Sequence, residues 1–286
     1  MAGLPIQLRN SSGFAPDSFV VGKLNGQSSR DSLASSGSQV LAERSRRVPV
    51  GAYLPPGWPA AGGDCHSLGG VTNDYIKTGS PIYARSFEII REESNLARFP
   101  EDVEPVVVRM IHAAADPAIA DLIAFTPGVA AAALKALEAG APILCDSSMV
   151  ATGIIRSRLP EHTRIVCHIK DPRLPAIAEA KGCTKTAAAV DLWQEDGLLD
   201  GAVVAIGNAP TALFRVLEVM HETGARPAAI VGIPVGFVGA AESKDALVAD
   251  DSGVEYITVL GRRGGSAMAV AAVNAMASRA ETTNDR

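Results

Sequence analysis

The 286-residue chain has few aromatic residues and no surplus of basic ones. Aromatic side chains make up 5% of the sequence, too few to suggest a surface on which nucleobases stack, and the formal net charge is −5. A nucleic-acid-binding protein would show a strongly basic face. We therefore expect no nucleic-acid partner.

Cysteine is also scarce, and its spacing carries no metal or redox motif. The four residues, Cys65, Cys145, Cys167 and Cys183, form no C-x-x-C pair and no Cys/His cluster with zinc spacing. We interpret them as small buried apolar side chains in a reducing compartment. The sequence predicts no metal site.

No apolar run is long enough to cross a bilayer. The longest uncharged one, "PAAIVGIPVGFVGAA" (227–241), is too short and too rich in Gly and Pro. The first residues lack the basic segment and apolar core of a secretory signal. We expect a soluble, cytoplasmic protein without a membrane partner.

Composition divides the chain into three segments. Residues 1–75 are rich in Ser, Gly, Pro and Arg and lack a sustained period, which predicts a disordered or loosely packed N-terminal extension. Residues 76–280 are predicted to form the folded domain, and 281–286 a tail.

Within the folded segment, short apolar runs alternate with helical patterns. The predicted strands are 142–145, 164–168, 202–206, 228–233 and 256–260. The predicted helices are 82–93, 101–114, 127–139, 173–181, 185–195, 209–223, 240–248 and 265–278. Runs that are apolar throughout are typical of strands buried on both faces. The pattern predicts an α/β fold with a parallel sheet of about five strands and helices on both faces.

Ligands of such sheets bind beyond the carboxyl ends of the strands. The segments after the predicted strands contain glycines together with Lys185, Asn208, Arg262 and Arg263. Asp146 follows another strand, where it is either a helix cap or a ligand contact. Together these segments predict a broad, glycine-lined cleft with several cations, suited to a large, flat ligand carrying several carboxylates.

One arginine and one histidine interrupt the apolar stretch "VVVRMIHAAADP" (106–117). Arg109 and His112 are three residues apart, so a helix would place them on one face. By itself this pattern also fits a satisfied core histidine and a surface arginine paired with Glu104 or Asp116.

Residues 83–277 closely resemble the precorrin-8X methylmutase family, the precorrin isomerases of cobalamin biosynthesis. The resemblance rests on long stretches in the family's order. These are "YARSFEIIREE", "VRMIHAAADP", "AGAPILCDSSMVATGI", "VAIGNAPTALF", "PAAIVGIPVGFVGAAESKDAL" and "GRRGGSAMAVAAVNA". It implies a Rossmann-like fold, a homodimer with the active site near the interface, and no cofactor.

The resemblance also implies a reaction and the residues that perform it. A methyl group moves from carbon 11 to carbon 12 of a carboxylate-rich tetrapyrrole, giving hydrogenobyrinate, or cobyrinate from the cobalt-containing substrate. The family's acid/base falls on His112, and its substrate contacts fall on Ser86 and Arg109. Ser86 otherwise fits a helix cap or a surface hydroxyl. Tyr83 is a weaker candidate for substrate contact, as is Arg85.

Three further residues are predicted to bind substrate: Lys185, Asn208 and Arg263. Lys185 stands in "TKT", where the family usually has arginine, and the two side chains differ as carboxylate ligands. The chain departs from the family again after Ala113, where it has "AAD" (114–116) and relatives have Cys or Thr followed by Gly.

Two other functions compete with the methylmutase interpretation. A protein that binds corrinoids without converting them would look similar, although binding alone needs no titrating group at His112. A nucleotide-dependent oxidoreductase is disfavoured because G-x-G-x-x-G is missing, as is the acidic residue that ends a following strand in such enzymes.

Overall fold

The computed structural model describes residues 75–278. The predicted extension (1–75) lies outside the described residues apart from residue 75. The predicted tail (281–286) lies wholly outside them. The helices are α1 (Gly79–Glu93), α2 (Glu104–Ala114), α3 (Val129–Glu138), α4 (Ser148–Gly153), α5 (Leu174–Lys181), α6 (Lys185–Glu195), α7 (Pro210–Thr223), α8 (Ala240–Ala249) and α9 (Ser266–Met276). The strands are β1 (Ile123–Phe125), β2 (Ile143–Cys145), β3 (Ile165–Val166), β4 (Val203–Ile206), β5 (Ala229–Gly232) and β6 (Tyr256–Val259).

The strands form one six-stranded sheet in the order β1-β6-β5-β4-β2-β3. All neighbouring pairs are parallel except β1 and β6, which are antiparallel. The five predicted strands are all present, and β1 is the strand that the prediction missed. It is three residues long and follows a 3-10 turn, Pro117–Leu122, so it carries no extended apolar run that could mark it.

Helices pack on both faces of the sheet, as predicted. In β4, Val203 and Ala205 belong to the apolar core shared with α2, α3, α4 and α9, whereas Val204 and Ile206 belong to the core shared with α6, α7 and α8. Alternate side chains of a strand point to opposite faces, which explains the division between the two cores. All four side chains are buried because helices cover both faces. The predicted α/β fold class is confirmed.

Helix α2 runs antiparallel to α9 on one face of the sheet. Ala113, near the end of α2, lines one cavity together with Ala267 at the start of α9, while Pro105 at the start of α2 lines another together with Ala275 near the end of α9. Because α9 begins just after β6, this packing brings the last turn of α2 to the carboxyl edge of the parallel strands.

Helix α4 is the other element that the prediction missed. It spans six residues, and Ser147 caps it by accepting a hydrogen bond from the backbone N–H of Val150 (3.3 Å).

Among the described residues, no helix is long and apolar enough to span a membrane.

Candidate active site

Ser86 and His112 form the centre of the site. Ser86 lies on α1 and His112 in the last turn of α2, and Ser86 Oγ is 2.8 Å from Nδ1 of His112. Both side chains are partly buried. Helix α1 packs on α2 through Phe87 and Ile90, which are the buried residues of α1, and this packing fixes the contact.

Two aromatic rings hold the imidazole. The ring centre of Tyr83 is 5.3 Å from that of His112, and Phe87 meets the imidazole edge-on at 5.5 Å. Tyr83 is partly exposed, so it also faces solvent beside the imidazole. Sequence analysis singled out Tyr83 but missed Phe87, which lies four residues after Tyr83 and therefore on the same face of α1.

A cavity of about 470 Å³ opens next to the Ser86–His112 pair. We call it the histidine cavity. It is mostly apolar, and its lining residues include Ile76, Ile82, Ile89, Ile111 and Pro117. A largely apolar cavity with a few convergent polar groups is typical of a small-molecule site.

Arg109 lies one turn before His112 and acts on it electrostatically. The guanidinium carbon of Arg109 is 5.7 Å from the ring centre of Phe87, which also contacts His112. Burial lowers the pKa of His112 below its usual value of 6.5, and the positive charge of Arg109 lowers that pKa further. Arg109 itself lines a separate cavity of about 620 Å³ between α2, α3 and α9.

The turn after His112 contains a backbone conformation that disfavours alanine. Ala115 is the C-cap of α2 and has a φ of 52° and a ψ of 37°, in the left-handed region. Glycine is the usual residue at such a position. The departure noted in "AAD" therefore places a strained alanine directly beside the histidine cavity, which Ala115 lines.

Arg263 is joined to the end of α2. Its guanidinium lies 2.8 Å from the carboxylate of Asp116, and it lines a cavity of about 360 Å³ together with Ala113 and Val235. We call this the arginine cavity. Asp116 also accepts a hydrogen bond from the backbone N–H of Ala118 (3.1 Å). Glu104, the other carboxylate considered as a partner for Arg109, binds Arg91 at 2.8 Å.

Lys185 begins α6 and is exposed next to a cluster of hydroxyls. Thr184, Thr186 and Thr211 lie within 2.8–3.1 Å of one another, which places the starts of α6 and α7 side by side. Thr184 also caps α6 by accepting from the backbone N–H of Ala187. No contact joins this group to His112 among the described residues.

Asp146 supports the loop that carries Asn208. Its carboxylate is buried and accepts hydrogen bonds from the backbone N–H groups of Gly207 (3.1 Å), Asn208 (2.8 Å) and Ala209 (2.7 Å). Burial raises the pKa of Asp146, while the three hydrogen bonds oppose that rise. Asp146 is therefore not a helix cap, because Ser147 caps α4. The side chain of Asn208 is exposed.

Lys244, on α8, is a buried cation that sequence analysis did not single out. It is fully buried, and its ammonium donates to the backbone carbonyls of Gly261 (2.9 Å) and Arg263. Burial lowers the pKa of Lys244 to about 8. Lys244 thus fixes the loop that presents Arg263.

Within residues 75–278, no group of three or more His, Cys, Asp or Glu side chains is arranged to hold a metal ion. The described residues instead provide the imidazole of His112, held by one hydroxyl and two aromatic rings. Arg109 and Arg263 each line a cavity of their own.

Comparison with known proteins shows which family the chain belongs to. The family model described as precorrin-8X methylmutase matches residues 81–279. A precorrin-8X methylmutase of Pseudomonas aeruginosa is 53% identical over 208 residues, covering 73% of this chain and 99% of the relative. A cobalt-precorrin-8 methylmutase of Priestia megaterium is 37% identical over 202 residues, covering 70% and 88%.

A solved structure agrees with these relatives. The crystal structure of a precorrin-8X methylmutase from Thermus thermophilus matches with a TM-score of 0.63 and 42% identity, covering 70% of this chain and 95% of the other. The match of the family model over most of the chain, together with these identities, shows that the chain belongs to the precorrin-8X methylmutase family, which are isomerases of cobalamin biosynthesis.

Proposed function

We propose that this protein moves a methyl group from carbon 11 to carbon 12 of precorrin-8X, giving hydrogenobyrinate, with His112 as the acid/base. The cobalt-containing substrate, which would give cobyrinate, is the alternative form. The observation that carries the proposal is the Ser86–His112 contact of 2.8 Å beside an apolar cavity.

His112 is suited to lend a proton and take it back. A proton placed on a ring nitrogen of the macrocycle polarises its conjugated system and favours migration of the methyl group. The proton returns to the imidazole afterwards, so the reaction is balanced without an oxidant or a reductant. Proton transfer by a positioned group contributes about 10²–10⁴-fold to the rate.

The hydroxyl of Ser86 can match both states of the imidazole. When His112 is protonated, Nδ1–H donates to Ser86 Oγ, and Nε2–H is left to face the cavity. After Nε2 has given up its proton, the same contact keeps the ring in place. Arg109 limits the protonated fraction by lowering the pKa of His112, which makes the imidazolium a stronger acid.

Basic residues around the site match a substrate with several carboxylates. We propose that Arg109 and Arg263 bind carboxylates near the reacting end, because Arg109 lies one turn before His112 on α2 and Arg263 pairs with Asp116 just after α2. Lys185 and Asn208 would contact carboxylates farther along the edge of the sheet. An arginine can bind a carboxylate through two parallel hydrogen bonds, which orients as well as attracts it.

The direct test is the absorption spectrum of the purified protein mixed with precorrin-8X. We expect the spectrum of the product to grow with time, and the cobalt-containing substrate is tested in parallel. A spectral change on mixing that never progresses with either substrate would indicate a corrinoid-binding protein instead. No change with either substrate would refute the proposed function.

We also propose that two chains form a cytoplasmic homodimer with the site near the interface. The support is the exposure of Tyr75, Ile76, Ile82 and Tyr83 around the histidine cavity, on and just before α1. Covering these side chains with a second chain would remove apolar surface from water. Sedimentation equilibrium at several protein concentrations tests this proposal, and a monomer throughout would refute it.

A further inference from the structure

The loop between β5 and α8 exposes two large apolar side chains. Phe237 is 83% exposed and Val238 is 89% exposed, and Val235 just before them is 44% exposed. Single exposed apolar side chains are common, but three within four residues make a contiguous apolar patch. We call residues 236–239 the apolar loop.

The backbone holds the apolar loop at both ends. Gly236 and Gly239 have φ values of 149° and 78°, which side-chain-bearing residues rarely adopt. The N–H of Gly236 donates to the carbonyl of Arg262 (3.4 Å), and a Cβ atom at Gly239 would lie 3.3 Å from Pro210. The two apolar side chains therefore project from a loop whose ends are fixed.

A cation accompanies the exposed ring. The guanidinium carbon of Arg262 lies 5.4 Å from the ring centre of Phe237, and the side chain of Arg262 is exposed. Within the described part of the chain, no carboxylate forms an ion pair with Arg262, unlike Arg263, which is bound to Asp116. The loop thus presents an apolar surface beside the positive charge of Arg262, which pairs with no acidic side chain among residues 75–278.

The apolar loop continues the edge of the site already described. Val235, which precedes it, lines the arginine cavity together with Ala113, the neighbour of His112 on α2. The loop also follows β5, so it stands at the carboxyl edge of the sheet, where ligands of parallel sheets bind. A large ligand that reached His112 from this edge would pass over the loop.

We propose that Phe237 and Val238 contact one apolar face of the bound macrocycle and that Arg262 binds one of its peripheral carboxylates. The apolar loop is then a specificity-determining element of the methylmutase site. This inference rests on the proposed function. It deepens that function by assigning the substrate's apolar face and one of its carboxylates to named residues.

A second copy of the chain fits this patch less well than the macrocycle does. A specific protein–protein interface buries about 1,200–2,000 Å² in total. A phenylalanine side chain supplies only about 150–250 Å². A flat apolar ligand with carboxylates at its rim matches one exposed ring beside the exposed Arg262 better.

The first test compares the affinity for hydrogenobyrinate of the full-length wild type with that of Phe237→Ser, Val238→Ser and Arg262→Gln, by absorption titration. We expect Phe237→Ser to weaken binding by about tenfold or more, as burial of a large apolar side chain would require. Arg262→Gln should weaken binding, and less so at high salt. Val248→Ser is the matched control, since Val248 is 41% exposed on α8. It should bind like the wild type.

The outcomes separate this inference from the proposed function. Unchanged affinity in Phe237→Ser and Val238→Ser, with a wild type that binds the product, would overturn the inference alone. Unchanged affinity together with a shift in oligomeric state by sedimentation would assign the loop to a subunit interface and also overturn it. A wild type that converts precorrin-8X but fails to bind the product would overturn the inference alone, whereas a wild type that changes neither substrate's spectrum would overturn the proposed function as well.

A spectroscopic variant tests the contact without loss of the apolar side chain. Phe237→Trp places an indole where the structure has an exposed ring, whereas the native Trp193 is fully buried. We expect added hydrogenobyrinate to protect the new indole from quenching by acrylamide, measured as the difference from the wild-type protein. Equal quenching with and without bound product would contradict the inference.

Discussion

The hydroxyl of Ser86 lies 2.8 Å from Nδ1 of His112, although 26 residues separate the two in the chain. The contact joins α1 to the last turn of α2, and it gives the imidazole a fixed orientation toward the histidine cavity.

Replacement of His112 by alanine should remove the proton-transfer step and leave the substrate-binding cations in place. We expect turnover to fall by about 10²-fold or more, with the affinity for hydrogenobyrinate largely retained. The control is His221→Ala, because His221 is an exposed histidine on α7 that binds Asp250. Wild-type turnover in His112→Ala would contradict the assignment.

Replacement of Ser86 by alanine should remove the hydrogen bond that orients the imidazole. We expect kcat to fall by about two- to thirteenfold, in line with a net hydrogen-bond contribution of about 0.5–1.5 kcal/mol. In the double variant with His112→Ala the loss should not exceed that of His112→Ala alone, because the two groups act together. Additive losses would show that Ser86 acts independently of His112.

Arg109 should control the pH dependence of the reaction. The pKa of His112 lies below 6.5, and the protonated form is the one that donates, so kcat/KM should fall as the pH rises through that pKa. Arg109→Gln removes a positive charge that disfavours protonation, and therefore moves the falling limb to higher pH.

The control for Arg109→Gln is a change at Lys135, an exposed cation on α3. Lys135→Gln removes the same unit charge and should leave the pH profile unchanged. An Arg109→Gln profile that coincides with that of the wild type would mean that the charge of Arg109 does not act on His112.

Replacement of Ala115 by glycine should stabilise the fold. The left-handed conformation at φ 52° costs alanine more than it costs glycine, so the substitution relieves strain in the folded state. The greater freedom of glycine in the unfolded chain offsets part of this stabilisation. We expect the free energy of unfolding to rise by about 0.5–1 kcal/mol, measured by urea denaturation.

The matched control for that change is Ala113→Gly, two residues earlier. Ala113 is exposed within α2 and has a helical conformation, so glycine there should lower the stability by about 0.5–1 kcal/mol. Equal effects of the two substitutions would show that the Ala115 backbone carries no strain.

Lys244 should make the stability depend on alkaline pH. Its pKa is about 8 in the folded protein and about 10.5 in the unfolded chain, so the unfolded chain binds more protons between these values. Stability contributed by this group should therefore increase as the pH rises from 8 to 10.5, by at most about 1.4 kcal/mol per pH unit.

Lys244→Met provides the comparison, because it removes the titrating group and keeps an apolar stem of similar length. The alkaline rise in the free energy of unfolding should be smaller in this variant than in the wild type. Identical slopes for the two proteins would mean that the ammonium is not buried as the structure has it.

Much of the fold and part of the site follow from the sequence by itself. The five apolar runs determine β2 to β6, because a strand buried on both faces must be apolar throughout. The pattern of Arg109 and His112 in an apolar helix marks that helix as unusual. The resemblance to the precorrin-8X methylmutases then identifies His112 as the group to test. The match of the family model confirms the family, and the role of His112 stays a prediction.

Other features arise only when distant segments meet. β1 is formed by pairing with β6, and three residues carry no pattern of their own that would reveal it. Packing between elements also produces three features of the site. They are the contact of Ser86 with His112, the approach of the Phe87 ring to both His112 and Arg109, and the burial of Lys244 against the loop of Arg263. Local sequence determines which residues form a helix or a strand, whereas tertiary packing determines which side chains face one another, how far each is removed from water, and hence which groups titrate in a useful range.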